Sequence, residues 1–315
     1  MKPLKVVFFG TPEFAKTILQ AIHKSSHEVV GVVTTTDKAS GRGQKVSESA
    51  VKTYARENEL ALFQPEKLKD PDFLSSIESL KADLFVVVAF RMMPKILFEM
   101  PPLGTFNLHA SLLPDYRGAA PINYAIMGGE KKTGVTTFFI NEKIDEGAVL
   151  LQEEIAIEPT DSAGTLHDKL MHLGADLVLK TLDGLAENKL EPKVQIQSEE
   201  PKNAFKIFKQ DTKIDWLKDS ETLYNFIRGL SPYPCAFTTL QIGQETKNLK
   251  IYEGHYEILE TDEEPGTLGV DKNEMRIFTK DGIYFPTSVQ LEGKKRMEIK
   301  DLLNGFKSIS EIKMA

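Results

Sequence analysis

The sequence predicts an α/β protein in which a doubly wound, mostly parallel sheet is followed by a smaller C-terminal β-barrel. Strand and helix patterns alternate through the first half of the chain, as such a sheet requires. The run Ala82–Phe90 is apolar at almost every position, which is typical of a strand buried on both faces. After residue 235, short strand patterns follow one another at turn-punctuated intervals without helices between them, which favours a barrel.

The alternation begins at the start of the chain. Lys5–Phe9 is the first predicted strand, and Thr11 is the expected N-cap of a helix that has Pro12 at its first position. The other predicted elements of this half follow in order: strand Val29–Thr34, helix Ser49–Glu57, a strand from Gly104 to about Ala110, a helix from near Pro121, strands Thr133–Ile140 and Val149–Ile157, and helix Ser162–Leu185.

A polar stretch with two prolines, residues 186–204, is the best linker candidate. We therefore predict a first domain over 1–188, a linker over 189–205 and a barrel domain over 206–315. The predicted elements of the barrel domain are helix Glu221–Leu230 and strands Ala236–Leu240, Leu249–Ile258, Gly266–Val270, Met275–Thr279 and Gly282–Val289.

Composition limits the classes of function. A net charge of −7 argues against nucleic-acid binding through bulk charge, so an RNA partner would have to meet local basic patches. The single cysteine, Cys235, excludes an intramolecular disulfide and fits a reducing compartment. No apolar run is long enough to span a bilayer. We expect a cytoplasmic protein without membrane contact.

Common cofactor motifs are absent from the sequence. Gly10-Thr-Pro offers one glycine after the first strand, not the G-x-G-x-x-G of a dinucleotide site, and no P-loop or G-x-S-x-G motif occurs. His167 and His172 stand five residues apart on a helix without a cysteine pair, so we predict no metal site. These absences disfavour an ordinary NAD, ATP or metal enzyme.

Residues 106–121, FNLHASLLPDYRGAAP, place polar groups where a strand ends. Asn107 and His109 are two residues apart and share one face of the strand. An Asn offers donors to a developing oxyanion and a His takes up a proton near neutral pH, which suits acyl transfer or hydrolysis. On this spacing alone, a polar pair with a structural role is the more common explanation.

Asp145 lies in a turn between two predicted strands and is a candidate third member. A carboxylate beside His109 would fix the tautomer of the imidazole. An Asx turn before Gly147 is, on its own, the more common reason for an Asp at this position. Sequence spacing leaves both explanations open.

Five segments together resemble the methionyl-tRNA formyltransferase family: GTPEFA (10–15), FNLHASLLPDYRGAAPI (106–122), TGVTTFFINEKIDEG (133–147), KIDW (213–216) and RGLSPYPCAF (228–237). The loop GKKRM (293–297) is similar too, and the match runs from about residue 4 to about residue 304. The resemblance implies a Rossmann-like formyltransferase fold with an OB-like, tRNA-binding barrel. It also implies transfer of formyl from 10-formyltetrahydrofolate to the α-amino group of methionyl initiator tRNA, a step of translation initiation.

The family's catalytic Asn, His and Asp match Asn107, His109 and Asp145. The resemblance also implies a methionine pocket at Phe14, and two further sets of binding residues. These are Ser111, Leu112, Leu113 and Pro114 for folate, and Lys38, Arg42, Lys45, Lys294, Lys295 and Arg296 for tRNA. For Phe14, core packing is an equally good explanation. For the basic residues, a solvated surface is the usual explanation.

The sequence departs from the family at Phe90-Arg91, where Tyr-Gly is usual, so the rim of the folate pocket is expected to differ. The competing functions are formyl transfer to an amino sugar nucleotide, formyl-folate hydrolysis, and folate or RNA binding without activity. The trio of Asn107, His109 and Asp145 argues against a binding protein without activity. The segments KIDW and GKKRM argue against the sugar-nucleotide formyltransferase and the formyl-folate hydrolase. Nothing in the sequence demands a dimer, so a monomer is expected.

Overall fold

The computed structural model describes residues 2–40, 45–196, 200–306 and 312–314. Their contacts divide the chain into two compact units. The first comprises Met1–Gly118, Lys132–Ile155 and His167–Asn203, and the second Ala119–Lys131, Ala156–Leu166 and Ala204–Ala315. The domain bounds 1–188, 189–205 and 206–315 stay a prediction.

A seven-stranded sheet with the order β10-β9-β7-β6-β1-β2-β5 organises the first unit. The elements of this part of the chain are β1 (Lys5–Gly10), α1 (Glu13–His23), β2 (Glu28–Val33), β3 (Lys38–Ser40), β4 (Lys45–Ser47), α2 (Ala50–Glu57), β5 (Leu62–Phe63), α3 (Pro71–Ser79), β6 (Leu84–Val88), α4 (Lys95–Phe98), β7 (Thr105–His109), β8 (Arg117–Gly118), α5 (Pro121–Met127), β9 (Lys132–Phe139), β10 (Val149–Ala156) and α6 (Ala163–Ala186). Neighbouring strands pair in parallel along the part of the sheet formed by β5, β2, β1, β6 and β7. Strand β9 runs antiparallel to β7. The predicted mostly parallel sheet is confirmed.

Burial explains why these segments form a sheet. All five residues of β6 are buried, as the apolar run predicts. Helix α1 begins at Glu13, with Pro12 as its N-cap and no side-chain cap, so the predicted capping role of Thr11 is wrong. Extended backbone at Pro12 (ψ −178°) delays the first helical turn by one residue. Helix α2 has the Ser49 hydroxyl as its cap, which accepts a hydrogen bond from the Lys52 N–H.

The second unit contains a sheet with the order β14-β15-β16-β13-β12-β18, to which β17 adds beside β16. The elements from residue 203 onward are β11 (Asn203–Ala204), α7 (Ser220–Leu230), β12 (Ala236–Ile242), β13 (Glu245–Ile258), β14 (Leu268–Val270), β15 (Met275–Phe278), β16 (Gly282–Leu291), β17 (Met297–Glu298), α8 (Ile299–Asn304) and β18 (Ile312–Met314). Its strand pairs are antiparallel, and β14 approaches β18, so the sheet nearly closes. The predicted barrel is confirmed.

Apolar side chains of the strands and of α7 fill this barrel. Tyr284 is fully buried at its centre, with the Trp216 ring 5.8 Å from its own ring. The Trp216 indole N–H donates to the Thr238 hydroxyl, which satisfies the polar end of a buried side chain.

Among the helices in the described part of the chain, none is both long and apolar enough to cross a bilayer.

Candidate active site

Strand β7 lies inside the first sheet and presents two polar side chains on one face. Phe106 and Leu108 are buried, and Asn107 and His109 alternate with them, as the period of a strand requires. Asn107 lies between Val87 of β6 and Phe138 of β9. The Asn107 side chain is half-buried and makes no hydrogen bond among the described residues.

The His109 ring has an oxygen at each nitrogen. Its Nε2 is 2.9 Å from the backbone carbonyl oxygen of Tyr116, and its Nδ1 is 3.8 Å from Oδ2 of Asp145. Because a carbonyl only accepts hydrogen bonds, Nε2 carries the hydrogen and donates it. In the neutral ring, Nδ1 is then the free base, and a proton that arrives there lies beside the carboxylate.

The structure therefore brings Asp145 to His109, a contact that sequence spacing left open. The backbone of Asp145 is left-handed (φ 54°), a conformation that Asp tolerates better than most residues. Its Oδ2 also accepts a hydrogen bond from the Gly118 N–H at 2.9 Å. The side chains of His109 and Asp145 are only 7% and 15% exposed, so water screens their interaction poorly.

The backbone of the segment after β7 is held by hydrogen bonds from Ser111 of the segment itself and from Thr136 of β9. Ser111 is fully buried, and its hydroxyl donates to the carbonyl oxygen of Asp115 at 2.6 Å. The Thr136 hydroxyl donates to the Ser111 carbonyl and accepts from the Leu113 N–H. The Ser111 hydroxyl thus organises the loop, and the half-buried side chains of Leu112 and Pro114 are its more accessible surface.

Sequence reasoning missed two glutamines that hold these loops. The Gln152 amide donates to the Leu113 carbonyl at 2.8 Å and to the Thr136 hydroxyl at 2.9 Å. The Gln195 amide donates to the carbonyls of Asp145 and Gly147. Gln152 is an exposed residue of β10, and Gln195 lies in the polar stretch assigned to a linker, so no burial or polarity pattern distinguishes either residue from its neighbours.

Phe14 and Arg91 of the first unit contact residues other than Asn107, His109 and Asp145. Phe14 is 7% exposed on the apolar face of α1, and its ring meets the edge of the His167 ring at 5.3 Å. The Arg91 guanidinium donates to the carbonyls of Glu66 and Pro65. It is therefore directed at residues 65–66 of the loop between β5 and α3.

The six predicted tRNA contacts fall into two groups. Lys38 and Lys45 belong by their backbone to the β3–β4 hairpin, their side chains are outside the described structure, and Arg42 lies outside the described residues. Lys294 and Lys295 are exposed in the loop between β16 and β17. Arg296 pairs with Glu253, and its guanidinium lies 4.5 Å from the centre of the Tyr252 ring.

A cluster of charged residues closes the base of the β3–β4 hairpin. Lys52 of α2 pairs with Asp37 on one side of the hairpin and with Glu48 on the other, at 2.5 and 3.2 Å. The Gln64 amide donates to the Thr35 carbonyl and to the Asp37 carboxylate. The hydrogen bond from Lys52 and, to a smaller extent, the one from Gln64 lower the pKa of Asp37. The same hydrogen bond to Asp37 raises the pKa of Lys52.

An open groove of 810 Å³ lies at the other end of β7. Gly104 and Thr105 line it where β7 begins, together with Phe139 and the charged side chains of Lys95 and Glu142, which pair at 2.6 Å. His109 ends the strand, so the groove and the polar trio are separate features. The volume of the groove therefore says nothing about the chemistry at Asn107, His109 and Asp145.

Comparison with known proteins assigns the chain to a family. Residues 4–182 match the formyl transferase family, and residues 206–307 match the formyl transferase C-terminal domain. A methionyl-tRNA formyltransferase of Flavobacterium johnsoniae is 51% identical over 314 residues, covering all of both chains. One of Bacteroides fragilis is 46% identical and covers 99% of this chain and 98% of its own. The chain belongs to the methionyl-tRNA formyltransferase family. The family expected from the sequence motifs is thereby confirmed.

Solved structures share the fold of this formyltransferase at low sequence identity. The sugar 3N-formyl transferase WlaRD has a TM-score of 0.65 at 21% identity, covering 94% of this chain and all of its own. HypX from Aquifex aeolicus in complex with tetrahydrofolic acid has a TM-score of 0.64 at 18% identity, covering 96% of this chain and 47% of its own. In the described part of the chain, no group of three or more His, Cys, Asp or Glu side chains is arranged to hold a metal ion.

Proposed function

We propose that this enzyme transfers the formyl group of 10-formyltetrahydrofolate to the α-amino group of methionyl initiator tRNA, with Asn107, His109 and Asp145 at the reacting centre. The observation that carries the proposal is the His109 ring. It is held by the Tyr116 carbonyl at one nitrogen and faces Asp145 at the other, on the same strand face as the Asn107 amide. Full-length relatives named methionyl-tRNA formyltransferase support the substrate.

The chemistry follows from the groups on β7. The neutral amine of the methionyl ester attacks the formyl carbon, and the carbonyl oxygen becomes a tetrahedral oxyanion. The Asn107 amide donates to this oxyanion, a contribution worth roughly 3–4 kcal/mol of barrier for a well-placed donor.

Proton transfer falls to the other two members of the trio. The attacking nitrogen gains a positive charge and must lose a proton, for which Nδ1 of His109 is the available base. Asp145 stabilises the resulting imidazolium, and the proton leaves with N10 of tetrahydrofolate when the C–N bond breaks. The bonds formed and broken balance without metal or redox chemistry.

Substrate binding is assigned to the loops around the trio. We assign folate to the loop of Leu112, Leu113 and Pro114, whose accessible apolar surface is that of Leu112 and Pro114, and we give the buried Ser111 the part of shaping that loop. Phe14 contributes to the methionine pocket in this proposal. The tRNA contacts are Lys38, Arg42, Lys45, Lys294, Lys295 and Arg296, and we propose a cytoplasmic monomer that needs no metal.

Single-turnover formylation of methionyl initiator tRNA by wild type and His109→Ala tests the proposal. We expect rapid transfer by wild type and a rate roughly 10²–10⁴-fold lower in the variant, the usual contribution of a general base. His172→Ala, the same change at an exposed position of α6, is the matched control and should keep the wild-type rate.

Two results would contradict the proposal. If wild type consumes the folate but leaves the tRNA unmodified, the enzyme is a hydrolase or a transferase for another amine. If His109→Ala transfers formyl at the wild-type rate, His109 is not the base.

A further inference from the structure

Residues 193–196 run beside the turn that carries Asp145. Lys193 and Val149 exchange two backbone hydrogen bonds of 2.7 and 2.8 Å in an antiparallel bridge. Two residues further on, this register sets Gln195 opposite Gly147. Val194 and Ile196 are 84% and 85% exposed, so Gln195 is the residue of this stretch that faces the turn.

Both ends of the Gln195 amide are bonded. Nε2 donates to the carbonyl oxygens of Asp145 and Gly147 at 2.9 and 2.8 Å. Oε1 accepts two hydrogen bonds from the Arg117 guanidinium, at 3.1 and 2.6 Å. Because carbonyls only accept and a guanidinium only donates, these partners fix the orientation of the amide.

The geometry of the turn depends on these bonds. Asp145 has a left-handed backbone (φ 54°), a conformation that costs free energy in a residue with a side chain and that bonds from the surroundings stabilise. Gln195 binds the carbonyl of Asp145, while the Gly118 N–H binds its carboxylate. The backbone and the side chain of Asp145 are thus fixed by different groups, and among the described residues it is Gln195 that binds the turn on both sides of Glu146.

We infer that Gln195 is a positioning residue for formyl transfer, which acts by holding Asp145 beside His109. The inference rests on the catalytic role proposed above for Asp145. Arg117, which the family motif contains, then has a defined task, because it orients the amide whose donors hold the turn.

Two substitutions separate the bonds of Gln195. Gln195→Met keeps the length of the side chain and removes every hydrogen bond. Gln195→Glu keeps the acceptor for Arg117 and removes both donors to the turn. We expect each variant to lower the single-turnover rate about 10- to 100-fold, the cost of misplacing a catalytic group by about 1 Å, with KM for both substrates unchanged and Tm lowered by no more than a few degrees. Ile196→Ser, an adjacent and exposed position, is the control and should match wild type.

A double-mutant cycle with Asp145→Asn distinguishes positioning from a general structural role. If Gln195 acts through Asp145, adding Gln195→Met to Asp145→Asn lowers the rate no further. The inference is overturned if the two losses multiply, if both Gln195 variants keep the wild-type rate, if only KM rises, or if Asp145→Asn alone is fully active. Consumption of 10-formyltetrahydrofolate is measured alongside tRNA formylation, so a wrong acceptor assignment shows separately and leaves the cycle readable.

Discussion

Oδ2 of Asp145 lies 3.8 Å from Nδ1 of His109 and accepts the Gly118 N–H at 2.9 Å. One carboxylate oxygen therefore faces the proposed base while a backbone donor holds it in place. Since the other ring nitrogen donates to the Tyr116 carbonyl, the imidazole ring cannot flip by 180° without losing that hydrogen bond. The arrangement leaves Nδ1 as the position at which a proton is gained and lost.

Asp145→Asn tests the charge at this position while keeping an oxygen for Gly118. We expect the single-turnover rate to fall roughly 10²–10⁴-fold, because the amide no longer stabilises the imidazolium. KM for both substrates should change little. Asp262→Asn, an exposed position of the second unit, controls for the substitution itself. A rate close to wild type in Asp145→Asn would leave Asp145 with a structural role only.

Asn107→Ala separates catalysis from stability. Its amide makes no hydrogen bond among the described residues, so its removal should leave Tm unchanged. The rate should fall roughly 10²–10³-fold, the loss measured when one oxyanion donor is removed. Rapid-quench formylation and calorimetry on the same preparation measure both quantities. A large drop in Tm at a normal rate would instead mean that Asn107 is a structural polar residue.

Local patterns in the sequence predicted most of the fold. The apolar run that becomes β6, the alternation along β7 and the turn-punctuated strands of the barrel each encode their own burial. Helix α3 was missed, although Asp70 caps it and Pro71 begins it, because its apolar positions are few. The antiparallel direction of β9 was also beyond reach, since a strand's direction depends on its partner.

The candidate site was predictable only where a motif carried it. Asn107 and His109 share a strand face by period alone, but the approach of Asp145 depends on how the turn after β9 folds. Gln195 lies 50 residues from Asp145 in a polar stretch, and its role exists only through its hydrogen bonds. Arg91 shows the same limit, because its partners at residues 65–66 are set by tertiary structure.

The basic loop after β16 should contribute to tRNA binding. Lys294, Lys295 and Arg296 are all exposed, and Arg296 in addition pairs with Glu253 and lies over the Tyr252 ring. We expect the double variant Lys294→Ala/Lys295→Ala to raise KM for the tRNA and to reduce the slope of log KM against log salt by about one per lost phosphate contact. Arg296→Ala should also raise KM for the tRNA and, because it removes the contacts to Glu253 and Tyr252, lower Tm slightly. Equal salt slopes in wild type and the double variant would remove both lysines from the tRNA interface.

Lys52 should control the β3–β4 hairpin from its base. It pairs with Asp37 before the hairpin and Glu48 after it, so Lys52→Met releases both ends. If the hairpin contacts tRNA, KM for the tRNA should rise several-fold while KM for the folate and the single-turnover rate stay unchanged. Lys250→Met, an exposed lysine of β13, is the control. A shift confined to the folate KM would place the hairpin at the other substrate.

The same pair predicts a pH dependence. The pKa of Asp37 is lowered by its hydrogen bond to Lys52, so the folded state favours the ionised carboxylate. Its contribution is present above the ordinary pKa of an Asp and is lost as pH falls through the lowered value. Urea unfolding of wild type and Asp37→Asn across the acid range should therefore converge at low pH. Parallel curves would mean that the ion pair adds nothing measurable.

Cys235 is the single thiol of the chain, and burial raises its pKa from an ordinary value of 9.0 to about 11. In the folded protein the thiol stays protonated until the pH approaches that value, whereas in the unfolded chain it ionises around its ordinary pKa. The contribution of the thiol to stability is therefore complete below its ordinary pKa and is lost as pH rises toward 11.

The thiolate is the reactive form, so folded wild type should resist Ellman's reagent at about pH 8 and react fully in denaturant. Cys235→Ala should lose stability less steeply with alkaline pH than wild type does. Rapid reaction of the folded protein would show that residues around Cys235 open to solvent.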